Sequence, residues 1–219
     1  MDWHAWHQAY ERPDSALTRR LRAVVAQVRA ALDAAPPGPV RAVSVCAGQG
    51  LDLLGALDGH PRADDVRARL VELDPRNADA ARAAAAALGL AGVDVVTGDA
   101  SLTDAYAGAV PADLVLVVGV FGNLADADIE RTVRLLPGLC APGATVVWSR
   151  HRKAPDAFTR IRGLLAREHF TELWRSPDGD RQGLAAHRYD GPPRPLPPGE
   201  RMFTFVGYDV LAGEDVTGG

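Results

Sequence analysis

The sequence lacks the features of a disulfide-stabilised or membrane-spanning protein. Its only two cysteines, Cys46 and Cys140, each lie in or beside an apolar stretch, so a disulfide framework is not indicated and a reducing compartment is expected. The longest strongly apolar run, residues 114–121, is too short to cross a bilayer. Residues 1–13 lack the basic segment and the apolar run of a signal peptide. We therefore predict a cytoplasmic protein with no membrane partner.

The chain also lacks an excess of positive charge. Its 24 Lys and Arg residues are outnumbered by 28 Asp and Glu residues, which leaves a formal net charge of -4. The arginines are scattered rather than massed in one tract, so no nucleic-acid partner is expected. His4 and His7 have a spacing that permits metal binding on a helix, but no third ligand lies nearby in the sequence, and we predict no metal site.

The sequence alternates between short β-branched runs and segments rich in helix formers. Five runs are predicted to be strands: residues 40–45, 69–73, 93–97, 114–118 and 145–149. Helices are predicted between them at residues 51–57, 78–88 and 126–136. Asp74 and Pro75 are suited to begin the second of these helices. This alternation predicts βαβ units and a mostly parallel sheet.

The pattern differs at both ends of the chain. An amphipathic helix is predicted at residues 14–33, capped by Asp14 or Ser15. Its apolar stripe is formed by Leu17, Leu21, Val24, Val28 and Leu32. Beyond residue 150, a helix is predicted at residues 155–169, two strands at residues 170–175 and 184–189, and a last strand-like segment at residues 202–208. The loop between the two strands is short, which favours an antiparallel pair.

Glycine and carboxylate side chains follow the first three predicted strands. The first strand ends in the turn Gly48-Gln49-Gly50, the second in Glu72 and the third in Gly98-Asp99-Ala100. Each motif alone is also typical of an ordinary turn, a surface carboxylate or a helix cap. In a doubly wound sheet, however, these three strand ends lie side by side at the edge where ligands bind. A glycine turn there allows close approach of the backbone to a ligand, and a carboxylate after the second strand can accept hydrogen bonds from ribose.

With these three motifs the chain resembles the class I S-adenosylmethionine (SAM)-dependent methyltransferases over residues 40–190. A Leu136-Pro137-Gly138 turn before the fifth strand and the closing antiparallel pair also resemble that family. The resemblance implies a Rossmann-like α/β fold. Its mostly parallel, seven-stranded sheet would have an antiparallel closing strand, helices on both faces and an N-terminal helical extension. It also implies S-adenosyl-L-methionine as the cofactor.

The resemblance further implies which residues hold the cofactor. The first turn would hold the methionine part, the end of the second strand the ribose, and the end of the third strand adenine. These residues are Cys46, Ala47, Gly48, Gln49 and Gly50, then Glu72 and Leu73, then Asp99 and Ala100, with Gly119 after the fourth strand. The family's usual acidic residue in the first strand corresponds to Ser44, and its first glycine corresponds to Cys46.

Motifs after the fourth and fifth strands resemble those of a largely actinobacterial group within the family, at residues 118–123 and 148–152. The resembling fold places groups beside the reactive methyl after its fourth strand, where Asn123 lies, and Arg150 and His151 leave the fifth strand at the same edge. Asn123 can orient an acceptor or simply close a turn. His151 can be a general base with a near-neutral pKa or an exposed loop histidine. The catalytic residue is therefore left open among these three candidates.

We divide the chain into an N-terminal helical extension at residues 1–35, a SAM-binding methyltransferase domain at residues 36–212 and a flexible tail at residues 213–219. Trp3, Trp6 and Tyr10 are too apolar to be left in solvent. Residues 1–10 are predicted to form a lid over the site; the alternatives are that they patch the core or form a contact in a homodimer.

The predicted function is methyl transfer from SAM to an unidentified small-molecule acceptor. The alternative is a non-catalytic SAM-binding or interaction protein with the same fold. An aminopropyltransferase would carry an acidic polyamine motif after the fourth strand, and none is seen. A dehydrogenase would need the fuller G-x-G-x-x-G fingerprint, whereas residues 51–53 are Leu-Asp-Leu.

Overall fold

Seven strands form one sheet in the order β3-β2-β1-β4-β5-β7-β6 in the computed structural model, which describes residues 16–153 and 156–206. The strands are β1 (Val40–Val45), β2 (Val66–Glu72), β3 (Val93–Thr97), β4 (Ala112–Val117), β5 (Cys140–His151), β6 (Phe170–Arg175) and β7 (Gln182–Tyr189). The first five strands pair in parallel, and β7 is antiparallel to both β5 and β6. The predicted mostly parallel sheet with an antiparallel closing strand is confirmed.

Within the described residues, five helices cover both faces of this sheet. They are α1 (Ala16–Ala34), α2 (Leu51–Leu57), α3 (Pro75–Ala87), α4 (Asp126–Leu135) and α5 (Ala157–Arg167). Short 3-10 turns lie at Ala63–Asp65, Thr103–Tyr106, Phe121–Asn123 and Leu136–Gly138. Buried residues of α1, α2 and α3 form one apolar cluster with the sheet, and buried residues of α4 and α5 form the other. The strands serve both clusters because successive side chains point to opposite faces.

The predicted cap of α3 is confirmed in detail. The side chain of Asp74 accepts a hydrogen bond from the backbone N–H of Arg76 at 2.9 Å, and Pro75 occupies the first helical turn. Proline suits this position because the N–H that it lacks would have no partner inside the helix. The helix consequently starts at the carboxyl end of β2, beside Glu72.

The apolar stripe of α1 divides into two parts. Val24, Val28 and Leu32 are completely buried in the cluster on that face, as expected from their helical spacing. Leu21 and Leu17, one and two turns nearer the N-terminus, are only half-buried. The proposed caps Asp14 and Ser15, like the predicted lid at residues 1–10 and the tail at residues 213–219, lie outside the described residues.

The prediction of a strand at residues 202–208 is wrong for the part that the structure describes, residues 202–206. A single antiparallel bridge joins Leu102 to Arg201. Beyond it, the backbone N–H groups donate to scattered acceptors: the carbonyl of Ser101, a carboxylate oxygen of Asp128 and the carbonyl of Asn123. No ladder forms because this segment crosses the ends of strands instead of running beside one.

Within residues 16–153 and 156–206, no helix is both long and apolar enough to cross a membrane. Both cysteines fall within this part of the chain and are free thiols.

Candidate functional site

One cavity of about 670 Å³ lies at the carboxyl ends of β1 to β5. In the sheet, β2 and β3 lie on one side of β1, and β4 and β5 lie on the other. The cavity therefore lies at the point where the strand order reverses. Open α/β sheets bind ligands at this place. All the predicted site residues except Gly50 line the cavity.

The turn between β1 and α2 has a left-handed backbone at three residues. Cys46, Gly48 and Gly50 have φ values of 53°, 57° and 70°. A Cβ added at Gly50 would lie 2.7 Å from Cδ2 of Leu70, so glycine is needed there for space as well as for its φ value. Cys46 adopts the same left-handed conformation with a side chain, at the position where the resembling family has its first glycine. Gly50 thus shapes the turn, whereas the residues before it line the cavity.

Glu72 joins the first two strand ends. One carboxylate oxygen accepts a hydrogen bond from the N–H of Gly48 at 2.8 Å, and the other accepts one from the N–H of Asp74 at 2.9 Å. The side chain is buried yet lines the cavity. Each carboxylate oxygen has further lone pairs, so the group is held rigidly and can still accept hydrogen bonds from a ligand. The neighbouring Leu73 is 68% exposed and offers apolar surface at the same place.

Asp99, at the end of β3, is held by hydrogen bonds and an ion pair. One carboxylate oxygen accepts from the N–H and the hydroxyl of Ser101, at 2.9 and 2.7 Å, and the other lies 2.9 Å from Nη1 of Arg201. Burial raises the pKa of Asp99, but the hydrogen bonds from Ser101 and the pairing with Arg201 outweigh it, so the net pKa lies below the usual value. The group is therefore anionic at neutral pH and already engaged by three donors.

The loop after β4 is closed by hydrogen bonds at both its ends. Gly119, with φ of 77°, donates its N–H to the hydroxyl of Ser149 at 2.9 Å. The side-chain amide of Asn123 donates to the carbonyl of Gly119 at 2.9 Å. Asn123 is buried and also lines the cavity. These bonds fit the interpretation of Asn123 as the residue that closes the turn.

Arg150 and His151 lie at the end of β5. Nη1 of Arg150 donates to the carbonyl of Gly122 at 3.4 Å and contacts Nε2 of His151. Burial, then the charges of Arg150 and Lys153, lowers the pKa of His151 to about 4. Of the two alternatives for His151, the general base with a near-neutral pKa is therefore not supported, because burial and, after it, the neighbouring cations oppose protonation. His151 is neutral at pH 7 and a weak base.

Several residues that line the cavity were not predicted from the sequence. Among them are Leu17, Arg20, Leu21 and Val24 of α1, Gln182 at the start of β7, and Phe203 and Phe205 of the C-terminal segment. The apolar stripe predicted that α1 packs on the sheet, but not that its first turns line the cavity. Arg20 lies 99 residues from Gly119 in sequence, and no local signal indicates that they meet.

The cavity fits a ligand of the size and chemistry of SAM. Its volume is within the roughly 300–1,000 Å³ of small-molecule and cofactor sites. Its wall offers acceptors to hydroxyl groups at Glu72, apolar surface at Leu73 and a glycine turn that a Cβ at position 50 would disrupt. Among residues 16–153 and 156–206, no three His, Cys, Asp or Glu side chains are grouped to hold a metal. His4 and His7 lie outside those residues.

Solved structures share this fold. An O-methyltransferase family protein from Burkholderia thailandensis matches with a TM-score of 0.60 and 18% identity, over 79% of this chain and 57% of that one. A TehB-like SAM-dependent methyltransferase from Corynebacterium glutamicum matches with a TM-score of 0.54 and 18% identity, over 78% of this chain and 95% of that one. The carbon methyltransferase CurJ matches with a TM-score of 0.55 and 14% identity, over 73% of this chain and 51% of that one.

This chain therefore spans little more than half the length of the Burkholderia and CurJ proteins. No protein-family model matches the sequence, and no curated protein matches it either. At these identities the structural likeness shows the fold, which is the Rossmann-like fold of methyltransferases.

Proposed function

We propose that this protein is a SAM-dependent methyltransferase that acts on a small-molecule acceptor. The observation that carries the proposal is the meeting of five strand ends in one cavity, with the buried carboxylate of Glu72 fixed between the turns after β1 and β2. The fold supports the same assignment. Membership of the actinobacterial group stays a prediction from the motifs after β4 and β5.

The half of the cavity at β1, β2 and β3 is proposed to hold the cofactor. Glu72 accepts hydrogen bonds from the ribose hydroxyls, since its two oxygens are already oriented by the backbone of Gly48 and Asp74. Leu73 covers one face of adenine, which removes its exposed apolar surface from water. Asp99 and Ala100 bound the adenine end. The turn at residues 46–49 contacts the methionine part.

The half of the cavity at β4 and β5 is proposed to hold the acceptor. When bound, SAM supplies a methyl group on a sulfonium that is open to in-line displacement. The chain's own contribution is to align the acceptor and to exclude water, and such alignment can lower the barrier by several kcal/mol. Asn123 fixes the loop at Gly119, and Arg150 and His151 form the facing wall. With a pKa of about 4, His151 is poorly suited to accept a proton at neutral pH.

A methyl-transfer assay tests this function. The protein is incubated with radiolabelled SAM and fractionated bacterial metabolites, and both labelled product and S-adenosylhomocysteine are measured. We expect both to form in equal amounts with at least one fraction. Tight binding of SAM without turnover in any fraction would instead favour the non-catalytic SAM-binding protein. Absence of SAM binding would contradict both interpretations.

A further inference from the structure

Charge is divided along the length of the cavity. Carboxylates of Asp52, Glu72, Asp74 and Asp99 line the half formed by β1, β2 and β3. The cavity-lining cations outside that half are two arginines, Arg20 of α1 and Arg150 of β5, among the residues that the structure describes. Opposite signs at the two ends of one cavity favour ligands with complementary charge at each end.

Both guanidinium groups lie against the loop after β4. A Cβ added at Gly119 would be 3.9 Å from both terminal nitrogens of Arg20, and one added at Gly122 would be 3.7 Å from Nη1 of Arg150. The two glycines therefore keep the floor of the cavity clear beside the two cations. An arginine fork matches carboxylate and phosphate oxygens in geometry as well as in charge.

Apolar side chains form a further part of the cavity wall. Leu17, Leu21 and Val24 line the cavity from α1, and Phe203 and Phe205 line it from the C-terminal segment. Phe205 is 38% exposed and Leu17 and Leu21 are half-buried, so an apolar body bound here would cover surface that now faces water.

We propose, resting on the methyltransferase function above, that the acceptor is a small organic anion whose carboxylate or phosphate is bound by Arg20 and Arg150 and whose apolar body packs against α1 and the C-terminal phenylalanines. The cofactor's single carboxylate is a second source of the same chemistry. In the orientation proposed above, that carboxylate belongs to the methionine part of SAM and lies at the turn after β1. Arg150 lies at the end of β5, two strands from the turn after β1, and is assigned to the acceptor.

Binding of matched probes to the protein saturated with S-adenosylhomocysteine tests this proposal. The probes are phenylacetate and 3-phenylpropionate, each compared with its neutral amide by calorimetry and thermal shift. We expect a carboxylate to bind at least about tenfold more tightly than its amide, as charge-assisted hydrogen bonds would give. Arg150→Gln should abolish that preference, and Arg150→Lys should retain part of it. Arg22→Gln, on the exposed side of α1, is the matched control and should change nothing.

A second pair of ligands shows whether Arg150 binds the carboxylate of the acceptor or that of the cofactor. S-adenosylhomocysteine carries a carboxylate, and 5′-methylthioadenosine does not. If Arg150→Gln weakens only the former and leaves the probes unaffected, Arg150 binds the cofactor and the proposal is wrong. Equal binding of carboxylates and amides would also overturn it. Because S-adenosylhomocysteine binding is measured separately, its absence would instead contradict the methyltransferase function itself.

Discussion

At the scale of single residues, Glu72 connects the ends of two neighbouring strands in the site. It accepts backbone hydrogen bonds from the turns after β1 and β2, and it lines the cavity between them. A carboxylate with two fixed donors loses little further freedom when a ligand donates to it. Preorganisation of this kind makes a hydrogen bond to the ligand more favourable.

Glu72→Ala is expected to weaken SAM binding while the protein stays folded. Loss of charge-assisted hydrogen bonds should cost about 1.5–3 kcal/mol, or about one to two decades of affinity. Asp99→Ala should weaken binding less, because three donors, one of them the charged Arg201, already use its oxygens, against two backbone donors at Glu72. Calorimetry measures both. Glu130→Ala, which removes an exposed carboxylate on α4, is the control. Unchanged affinity in folded Glu72→Ala would remove Glu72 from the site.

Residue types and their order indicated the position of the site but not its electrostatics. Glu72 is the last residue of β2 and Asp99 lies two residues after β3, so both are found by inspecting the ends of the predicted strands. The lowered pKa of His151 depends on burial and on the charges of Arg150 and Lys153. Arg201, which pairs with Asp99, lies 102 residues further along the chain. Such contacts depend on tertiary packing and have no local pattern in the sequence.

At the scale of elements, the turn between β1 and α2 depends on one glycine. Gly50→Ala is expected to destabilise the protein more than Gly59→Ala. Both positions have positive φ, of 70° and 65°, so both variants carry a backbone cost of about 1–2 kcal/mol. Only at Gly50 would the new Cβ also meet Leu70 and Leu54, at 2.7 and 3.1 Å. Thermal unfolding should give the lower Tm for Gly50→Ala; equal Tm values would show that Leu70 moves aside freely.

The N-terminal segment gives a second prediction at this scale. Leu17, Arg20 and Leu21 of α1 line the cavity, and the chain that leads into α1 carries Trp3, Trp6 and Tyr10. Deletion of residues 1–10 is expected to leave the core folded and to abolish methyl transfer, because a lid excludes water from the reaction. A sharp loss of Tm without ligand would indicate core packing instead, and a change of mass in light scattering would indicate a subunit contact. Retained turnover would contradict the lid.

The periodicity of apolar residues predicted several helices and strands accurately. The helix at residues 51–57 and the strands at residues 40–45 and 170–175 match the structure at both ends. β5 is longer than predicted because β7 pairs with it out to His151, and Cys140 pairs with Ala112. Pairing of this kind depends on the neighbouring strand, so the sequence of β5 alone does not reveal it.

At the scale of the whole molecule, a buried histidine links stability to pH. His187 accepts a hydrogen bond at Nδ1 from the indole of Trp148 at 3.1 Å and is only 2% exposed. Burial lowers its pKa to about 4, against the partly opposing charge of Glu172, and Arg162 acts in the same direction as burial. Between about pH 4 and pH 6.5, the unfolded chain therefore binds a proton at His187 and the folded protein does not.

We expect the free energy of unfolding to fall as the pH is lowered from about 6.5 towards 4, with His187 contributing about 3 kcal/mol. The sign follows because the folded pKa lies below the unfolded one, so the stability is present above the unfolded pKa. His187→Gln retains an acceptor for Trp148 and should flatten the dependence. Urea unfolding at several pH values measures it. An equally steep profile in the variant would assign the effect to other groups, of which His151 has the same sign.

Binding of S-adenosylhomocysteine tests the central claim most directly, since every proposed role depends on a SAM-shaped ligand in the cavity at the ends of β1 to β5. At a hundredfold excess over Kd, binding to the folded state adds about 2.7 kcal/mol, which corresponds to a rise in Tm of about 5–10 °C for a chain of this size. We predict that rise with S-adenosylhomocysteine, none with NAD, and a much smaller rise in Glu72→Ala at the same ligand concentration. Stabilisation by NAD with no effect of millimolar S-adenosylhomocysteine would contradict the account.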